Sequence, residues 1–326
     1  MATFPGGKAP QPDRHARNPA GPARPDQATR PTKTTRPKKM TVPWVRAHKA
    51  RNVQGGSAEP LVMVTAYDYP QARIVDAAGA DLVLVGDSLA MVVLGLPDTL
   101  SLTVDEMLHH VKAVRRGVDR GLLVADMPYG SFHLDPRQAV ENALRFVKEG
   151  GAAAVKIEGA RPDVVRALVG AEIPVMAHLG LTPQSLHQFG GFKVQGRGED
   201  AAASLKDAAL AMQEAGAFSL VLECIPADLA AEVTASLDIP TIGIGAGVDC
   251  DGQVLVYHDL LGLEDRLAPR FVRRYAHLGN AARDAVAQYA DDVRTRRFPS
   301  TDESFADPSR KAVAPTQEPE LEKIYG

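Results

Sequence analysis

Ionisable residues follow five successive apolar runs of this sequence, and their types suit metal-assisted acid–base chemistry. The set contains four acids, one lysine and one histidine: Asp87, Asp126, Lys156, Glu158, His178 and Glu223. Carboxylates grouped in an enclosed site need protons, a cation or a metal ion, because an unpaired buried charge costs several kcal/mol. Acids from adjacent strands are hard oxygen donors that suit Mg²⁺ and leave coordination sites for water or substrate. The pattern predicts a metal-assisted enzyme that acts on a small anionic substrate.

Several members of this set also have a purely structural interpretation. Asp87 precedes a serine and could cap a helix, and Asp126 could end a strand in solvent. Lys156 and Glu158 could form a surface ion pair, although residues two apart on a strand share a face. These alternatives stay open for each residue alone. The occurrence of such residues after five successive apolar runs nevertheless favours a site.

The remaining candidates differ in how strongly they point to chemistry. Glu223 ends the apolar run Ser-Leu-Val-Leu and is expected in an enclosed site, whereas His178 could be a core histidine. Cys224 is interpreted as a small buried side chain and not as a nucleophile. We therefore expect Glu223 to lie in an enclosed site, and His178 stays open between a core residue and a ligand.

The elements that would position these residues are eight short runs rich in Val, Ile, Leu and Ala. They lie at 61–65, 81–86, 121–125, 152–157, 173–177, 219–222, 239–244 and 253–257. Such non-alternating runs are typical of parallel strands covered on both faces. Segments with helical periodicity lie between many of them, at 69–78, 136–149, 162–169, 202–215 and 227–237, with one or two further helices in 269–293. Repeated strand–helix units favour an α/β fold of the (β/α)₈ TIM-barrel type, whose carboxyl strand ends converge on one face.

Composition and charge exclude several classes of protein. The 326 residues are 45% hydrophobic with a formal net charge of −3, so the chain has no strong positive field for nucleic acid. No run of about 18 apolar residues is present, which argues against a membrane-spanning helix. Two cysteines, Cys224 and Cys250, cannot form a disulfide framework. A cytoplasmic protein is expected.

The ends of the chain differ from its middle. Residues 1–43 hold nine Lys/Arg and nine prolines, and they are predicted to be a disordered basic tail. Residues 44–297 are predicted to form a single catalytic domain, and 298–326 a polar C-terminal tail. A solvated linker is the simpler interpretation of the basic segment, and RNA or an acidic partner is the alternative.

A series of motifs resembles the ketopantoate hydroxymethyltransferase family, in the same order along the chain. They are TAYDY at 65–69, VGDSL at 85–89, ADMP at 125–128, VKIEG at 155–159, HLGLTPQS at 178–185, GGFKVQGRG at 190–198, LECIP at 222–226, IGIGAG at 242–247 and DGQVLV at 251–256. The two longest are unusual enough to make the resemblance specific, and it runs from about residue 42 to about residue 289.

The resemblance implies a barrel of the phosphoenolpyruvate/pyruvate-type superfamily with hydroxymethyltransferase activity. The family reaction moves a one-carbon unit from 5,10-methylenetetrahydrofolate to 3-methyl-2-oxobutanoate, giving 2-dehydropantoate for pantothenate and coenzyme A synthesis. It also implies Mg²⁺ and a cytoplasmic homodecamer, without nucleic acid or membrane. The roles it implies are metal binding by Asp87, Asp126 and Glu158, keto-acid binding by Asp87, Ser88, Asp126 and Lys156, the base at Glu223, and support from His178.

Two other functions are consistent with a barrel that carries these acids. A Mg²⁺-dependent lyase or mutase of the isocitrate lyase and phosphoenolpyruvate mutase type would act on another α-keto acid, but we find no reactive-cysteine loop of the kind those lyases share. A non-catalytic barrel would be expected to lack one of the acids, whereas all are present.

Overall fold

The computed structural model describes residues 36–53, 59–263 and 269–307. The predicted basic tail lies almost entirely outside the described residues, as does the C-terminal tail from residue 308 onward. Among the helices that are described, none is both long and apolar enough to cross a bilayer.

Eight parallel strands close into one barrel in chain order, with the last strand paired to the first. The strands are β1 (Leu61–Thr65), β2 (Leu82–Val85), β3 (Leu122–Asp126), β4 (Ala154–Glu158), β5 (Val175–Gly180), β6 (Ser219–Glu223), β7 (Thr241–Ile244) and β8 (Gly252–Leu255). Every predicted strand is present, so the predicted (β/α)₈ fold is confirmed. The register at closure sets Met63 beside Val254.

Helices surround the barrel and connect each strand to the next, except between β7 and β8. They are α1 (Val42–Arg46), α2 (His48–Val53), α3 (Tyr69–Ala77), α4 (Leu89–Val92), α5 (Val104–Arg115), α6 (Pro136–Lys148), α7 (Pro162–Gly170), α8 (Leu186–Phe189), α9 (Glu199–Glu214), α10 (Ala227–Ser236), α11 (Tyr257–Leu261) and α12 (Leu278–Arg294), with a 3₁₀ turn at Pro183–Ser185. The five predicted connecting helices are confirmed within a few residues, and α12 lies mainly in the predicted 269–293 segment. The sequence analysis did not predict α5.

Local signals explain where several of these helices begin. Asp68 accepts a hydrogen bond from the backbone N–H of Gln71 at 2.8 Å and caps α3. Thr103 and Glu106 form a reciprocal capping box at the start of α5. Side-chain oxygens at these positions satisfy amide groups that have no partner within the helix.

Two apolar layers hold the barrel together. The outer layer packs the strands against the helices, and the inner layer fills the barrel interior with side chains such as Met63, Leu82 and Met176. Met40 is 2% exposed within the inner layer, and its N–H donates to the carbonyl of Arg120 at 2.7 Å. The packed chain therefore begins before the predicted tail boundary at residue 43, because one methionine in a basic segment gives no periodic signal.

Candidate active site

The six predicted ionisable residues meet at the carboxyl ends of adjacent strands. Asp126 and Glu223 end β3 and β6, Lys156 and Glu158 lie in β4, His178 lies in β5, and Asp87 follows β2. All but Glu223 are at most 4% exposed, whereas the Glu223 side chain is 16% exposed. Parallel strands place their carboxyl ends on one face of the barrel, which explains the convergence. These six residues are called the carboxylate cluster below.

Lys156 lies in the middle of the carboxylate cluster. Its Nζ is 2.5 Å from Asp126 Oδ1 and 3.8 Å from Glu158 Oε1. Burial alone would lower the pKa of Lys156, but the charges of Asp126, Glu158 and Asp87 raise it above its ordinary value. The ammonium therefore stays charged, and the surface ion-pair interpretation of Lys156 and Glu158 is wrong because both side chains are buried.

The two aspartates lie side by side. The backbone N–H of Asp87 donates to Asp126 Oδ2 at 3.1 Å. Burial, followed by the charges of Glu158 and Asp126, raises the pKa of Asp87 well above its usual range. Burial also raises the pKa of Asp126, although Lys156 opposes the shift. The helix-cap interpretation of Asp87 is wrong, since the N-cap residue of α4 is Ser88.

His178 bridges two glutamates. Its Nδ1 lies 3.4 Å from Glu158 Oε1, and its Nε2 lies 3.3 Å from Glu223 Oε2. Burial and Lys156 act to lower the pKa of His178, but its interactions with the two glutamates outweigh them and raise it to about 9. His178 therefore lies between Glu223 and Glu158, and its Nδ1 is also 3.4 Å from Lys156 Nζ. His178 connects the exposed acid to the buried part of the carboxylate cluster.

Backbone contacts fix the position of Glu223. The carbonyl of Glu223 accepts a hydrogen bond from Leu181 N at 2.8 Å. Gly180 has φ +94°, and a Cβ there would come within 2.8 Å of Ile225 Cγ2. Glycine is therefore required for β5 to pass this close to β6.

Gln184 is a buried residue of the site that the sequence analysis missed. Its Nε2 donates to Asp87 Oδ2 at 2.9 Å and to the Met127 carbonyl at 3.0 Å, and its N–H donates to Glu158 Oε2 at 2.9 Å. Its Oε1 is buried and has no hydrogen-bond partner in the part of the chain that the structure covers. The only signal in the sequence is its place in HLGLTPQS, because a neutral amide draws no attention by charge.

The donors of the carboxylate cluster fit a hard divalent cation by their charge. Its carboxylates outnumber its two cationic groups, and the raised pKa values of Asp87 and Asp126 show where a positive charge would relieve repulsion. Across the described ranges, no three His, Cys, Asp or Glu side chains are placed to bind one ion together. The assignment of Asp87, Asp126 and Glu158 as metal ligands stays a prediction. Mg²⁺ commonly binds one or two carboxylates and completes its coordination shell with water and substrate. Asp87 and Asp126 could supply those carboxylates.

Cys224 provides a test of whether a thiol takes part in the chemistry. It follows Glu223 with φ +48°, and burial together with the Glu223 charge raises its pKa to about 12. Thiolate is the reactive form, so we expect iodoacetamide at pH 8 to alkylate Cys224 at least about a hundredfold more slowly than a free cysteine peptide. Mass spectrometry of the modified peptide measures the rate, with Cys224→Ser to identify the signal. Alkylation at the peptide's rate would contradict an inert thiol.

Known proteins of one family are similar to this chain in sequence. Residues 45–301 match the family model described as ketopantoate hydroxymethyltransferase. A 3-methyl-2-oxobutanoate hydroxymethyltransferase from Nitratidesulfovibrio vulgaris is 61% identical over 247 residues, which cover 75% of this chain and 80% of that protein. One of the same name from Moorella thermoacetica is 55% identical over 267 residues, which cover 81% and 97%.

Two solved structures share the barrel at low sequence identity. A phosphonopyruvate hydrolase in complex with oxalate and Mg²⁺ is 16% identical, with TM-score 0.51 over 81% of this chain and 93% of that chain. A 2,3-dimethylmalate lyase of the phosphoenolpyruvate mutase/isocitrate lyase superfamily is 18% identical, with TM-score 0.51 over 81% and 91%. At this identity the likeness concerns the fold alone.

Proposed function

Since the chain belongs to the ketopantoate hydroxymethyltransferase family, we propose that its carboxylate cluster transfers a one-carbon unit to 3-methyl-2-oxobutanoate. The donor would be 5,10-methylenetetrahydrofolate, and the product 2-dehydropantoate would feed pantothenate and coenzyme A synthesis. The observation that carries the proposal is the His178 bridge, since it places the accessible acid Glu223 next to the buried charged groups.

The charged groups of the carboxylate cluster suit the binding of the keto acid. Lys156 supplies a buried positive charge for the substrate carboxylate, and the Ser88 hydroxyl, 2.8 Å from the Tyr67 hydroxyl, supplies a polar contact nearby. Asp87 and Asp126 would hold Mg²⁺, with Glu158 adding negative charge from β4. When bound, Mg²⁺ acts as a Lewis acid that withdraws electron density from the keto and carboxylate oxygens.

In this proposal Glu223 removes the C3 proton of the keto acid. Its carboxylate is the most exposed of the four acids in the cluster, so it can reach a substrate while His178 orients it. Removal of the proton leaves an electron pair that delocalises onto the keto oxygen. Lys156 lies close enough to the buried acids to remain charged, and it would balance the growing negative charge.

The carbon transfer then balances without any oxidant or reductant. Water adds to the methylene carbon of the ring-opened folate iminium, and the C–N bond breaks as the folate nitrogen takes a proton from that water, which releases tetrahydrofolate and formaldehyde. The C3 carbon then attacks the formaldehyde carbon, a C–C bond forms, and the resulting alkoxide takes the second proton of the water to become the product hydroxyl group. The proton that Glu223 takes from C3 offsets the proton that the folate consumes when its ring opens.

Product analysis tests the proposal against the lyase alternative. With Mg²⁺, 3-methyl-2-oxobutanoate and 5,10-methylenetetrahydrofolate labelled with ¹³C at the methylene, we expect labelled 2-dehydropantoate by NMR. Cleavage of 2-methylisocitrate is not expected. Cleavage of that substrate, together with no labelled product, would contradict the proposed function and favour the lyase.

A further inference from the structure

A polar cavity adjoins the carboxylate cluster between the ends of β4 and β5. Its volume is about 400 Å³, within the range of small-molecule sites and more than a small keto acid would fill. Glu158 and Gln184 form part of its wall, together with His133, Arg161 and Gln188. Glu158 therefore belongs both to the cavity wall and to the carboxylate cluster, and Gln184 of the wall donates to Asp87 and Glu158 of the cluster.

Two polar atoms of this wall are buried without a partner among the described residues. They are Oε1 of Gln184 and Nε of Arg161. Gln184 is 4% exposed, and both known contacts of its amide nitrogen point to the cluster, at Asp87 and Met127. Leaving a buried donor or acceptor unpaired costs about 1–3 kcal/mol, so these two atoms need a partner, which water or a ligand in the cavity can supply.

The wall carries the Glu158 carboxylate as well as the Arg161 guanidinium, so it suits a ligand that has hydrogen-bond donors and an anionic or carbonyl group to face Arg161. No carboxylate of the described chain forms an ion pair with Arg161, whose guanidinium carbon lies 5.6 Å from the ring centre of Phe132. His133 accepts a hydrogen bond from Gly130 N at Nδ1, which leaves its Nε2–H as a donor. Burial and Arg161 lower the pKa of His133 to about 4, so Arg161 is the cation of this wall at neutral pH.

We propose that this cavity binds the folate co-substrate, with Gln184 Oε1 and the Arg161 guanidinium as its polar contacts. A pterin ring carries N–H donors beside a carbonyl oxygen, which match an amide acceptor and a guanidinium donor, and the glutamate portion of folate adds carboxylates. The inference rests on the proposed function, because it assumes that a folate supplies the carbon.

The position of the cavity suits delivery of the carbon to C3. Its wall includes Glu158, and only the imidazole of His178 separates Glu158 from Glu223. A ligand in the cavity would therefore contact Glu158, which His178 links to Glu223. The keto acid would occupy the Lys156 side of the carboxylate cluster, leaving the cavity for the larger co-substrate.

The test uses the full chain with Mg²⁺ and the variant Arg161→Gln, with Arg166→Gln as the matched control. Arg166 is an exposed arginine of α7, the helix whose N-cap residue is Arg161. Calorimetric titration with tetrahydrofolate is expected to show at least tenfold weaker binding for Arg161→Gln and wild-type binding for the control. Arg161→Lys keeps the charge without the planar fork, so its loss is expected to be intermediate.

A second readout separates the folate site from the keto-acid site. Exchange of the C3 proton of 3-methyl-2-oxobutanoate in D₂O, without folate, is expected to keep its wild-type KM in Arg161→Gln. Unchanged tetrahydrofolate binding in a folded Arg161→Gln protein would overturn the inference, as would a raised KM for the keto acid in exchange. If the wild-type protein binds tetrahydrofolate but shows no exchange, the proposed function fails at the first step.

Discussion

Replacement of Glu223 by glutamine is expected to abolish C3 proton exchange and to lower turnover by about 10²- to 10⁴-fold, the usual range for loss of a general base. An amide cannot take the proton, but its oxygen can still face His178 Nε2, which lies 3.3 Å from the carboxylate in the native protein. Binding of the keto acid and of Mg²⁺ is therefore expected to stay close to the native level. Proton NMR in D₂O measures exchange, and calorimetry measures binding.

Glu214→Gln is the matched control for this change, because Glu214 is exposed at the end of α9. We expect it to exchange the C3 proton at the native rate. Exchange at that rate in Glu223→Gln would remove Glu223 from the role of base. Loss of exchange together with loss of keto-acid binding would assign Glu223 to substrate binding instead.

Replacement of Asp126 by asparagine is expected to have the second large effect. Asp126 is the carboxylate nearest to Lys156, and it also accepts the Asp87 backbone N–H. Residues that only support metal ligands change metal affinity by about 10- to 100-fold, so loss of a direct ligand is expected to weaken Mg²⁺ binding by more than about 100-fold. Turnover at limiting Mg²⁺ is expected to fall at least as far, and a titration of activity against Mg²⁺ measures both.

Asp284→Asn removes a carboxylate from the exposed surface of α12 and serves as the control for Asp126→Asn. Its Mg²⁺ requirement is expected to equal that of the native protein. If Asp126→Asn has the native Mg²⁺ requirement, Asp126 is not a metal ligand. Far-ultraviolet circular dichroism of both variants checks that the barrel is retained.

The barrel could be predicted because its strands are apolar on both faces. β2, for example, is buried along its whole length, so its sequence is a continuous run and not an alternating one. The polar residue that ends such a run must lie at the carboxyl face of the barrel. The sequence alone therefore predicts that Asp126 and Glu223 lie at the same face of the barrel, each at the end of its own strand.

Contacts made by loops were harder to predict. Gln184 lies in a 3₁₀ turn after β5 and reaches Asp87, which is distant in sequence, and no local pattern indicates that contact. Nothing in the sequence distinguishes Arg161 from the other arginines, and its place in the wall of the cavity is known only from the structure. The helix α5 differs, because its capping box at Thr103 and Glu106 was a readable signal that the sequence analysis overlooked.

Proton exchange at C3 of 3-methyl-2-oxobutanoate, followed by NMR in D₂O without folate, tests most directly whether the buried acids, a divalent cation and Glu223 act together on a C–H bond. We expect the protein to catalyse exchange with Mg²⁺, to lose that activity in excess EDTA, and to regain it when Mg²⁺ is restored. Equal exchange rates with and without the metal, or no exchange under either condition, would contradict the account.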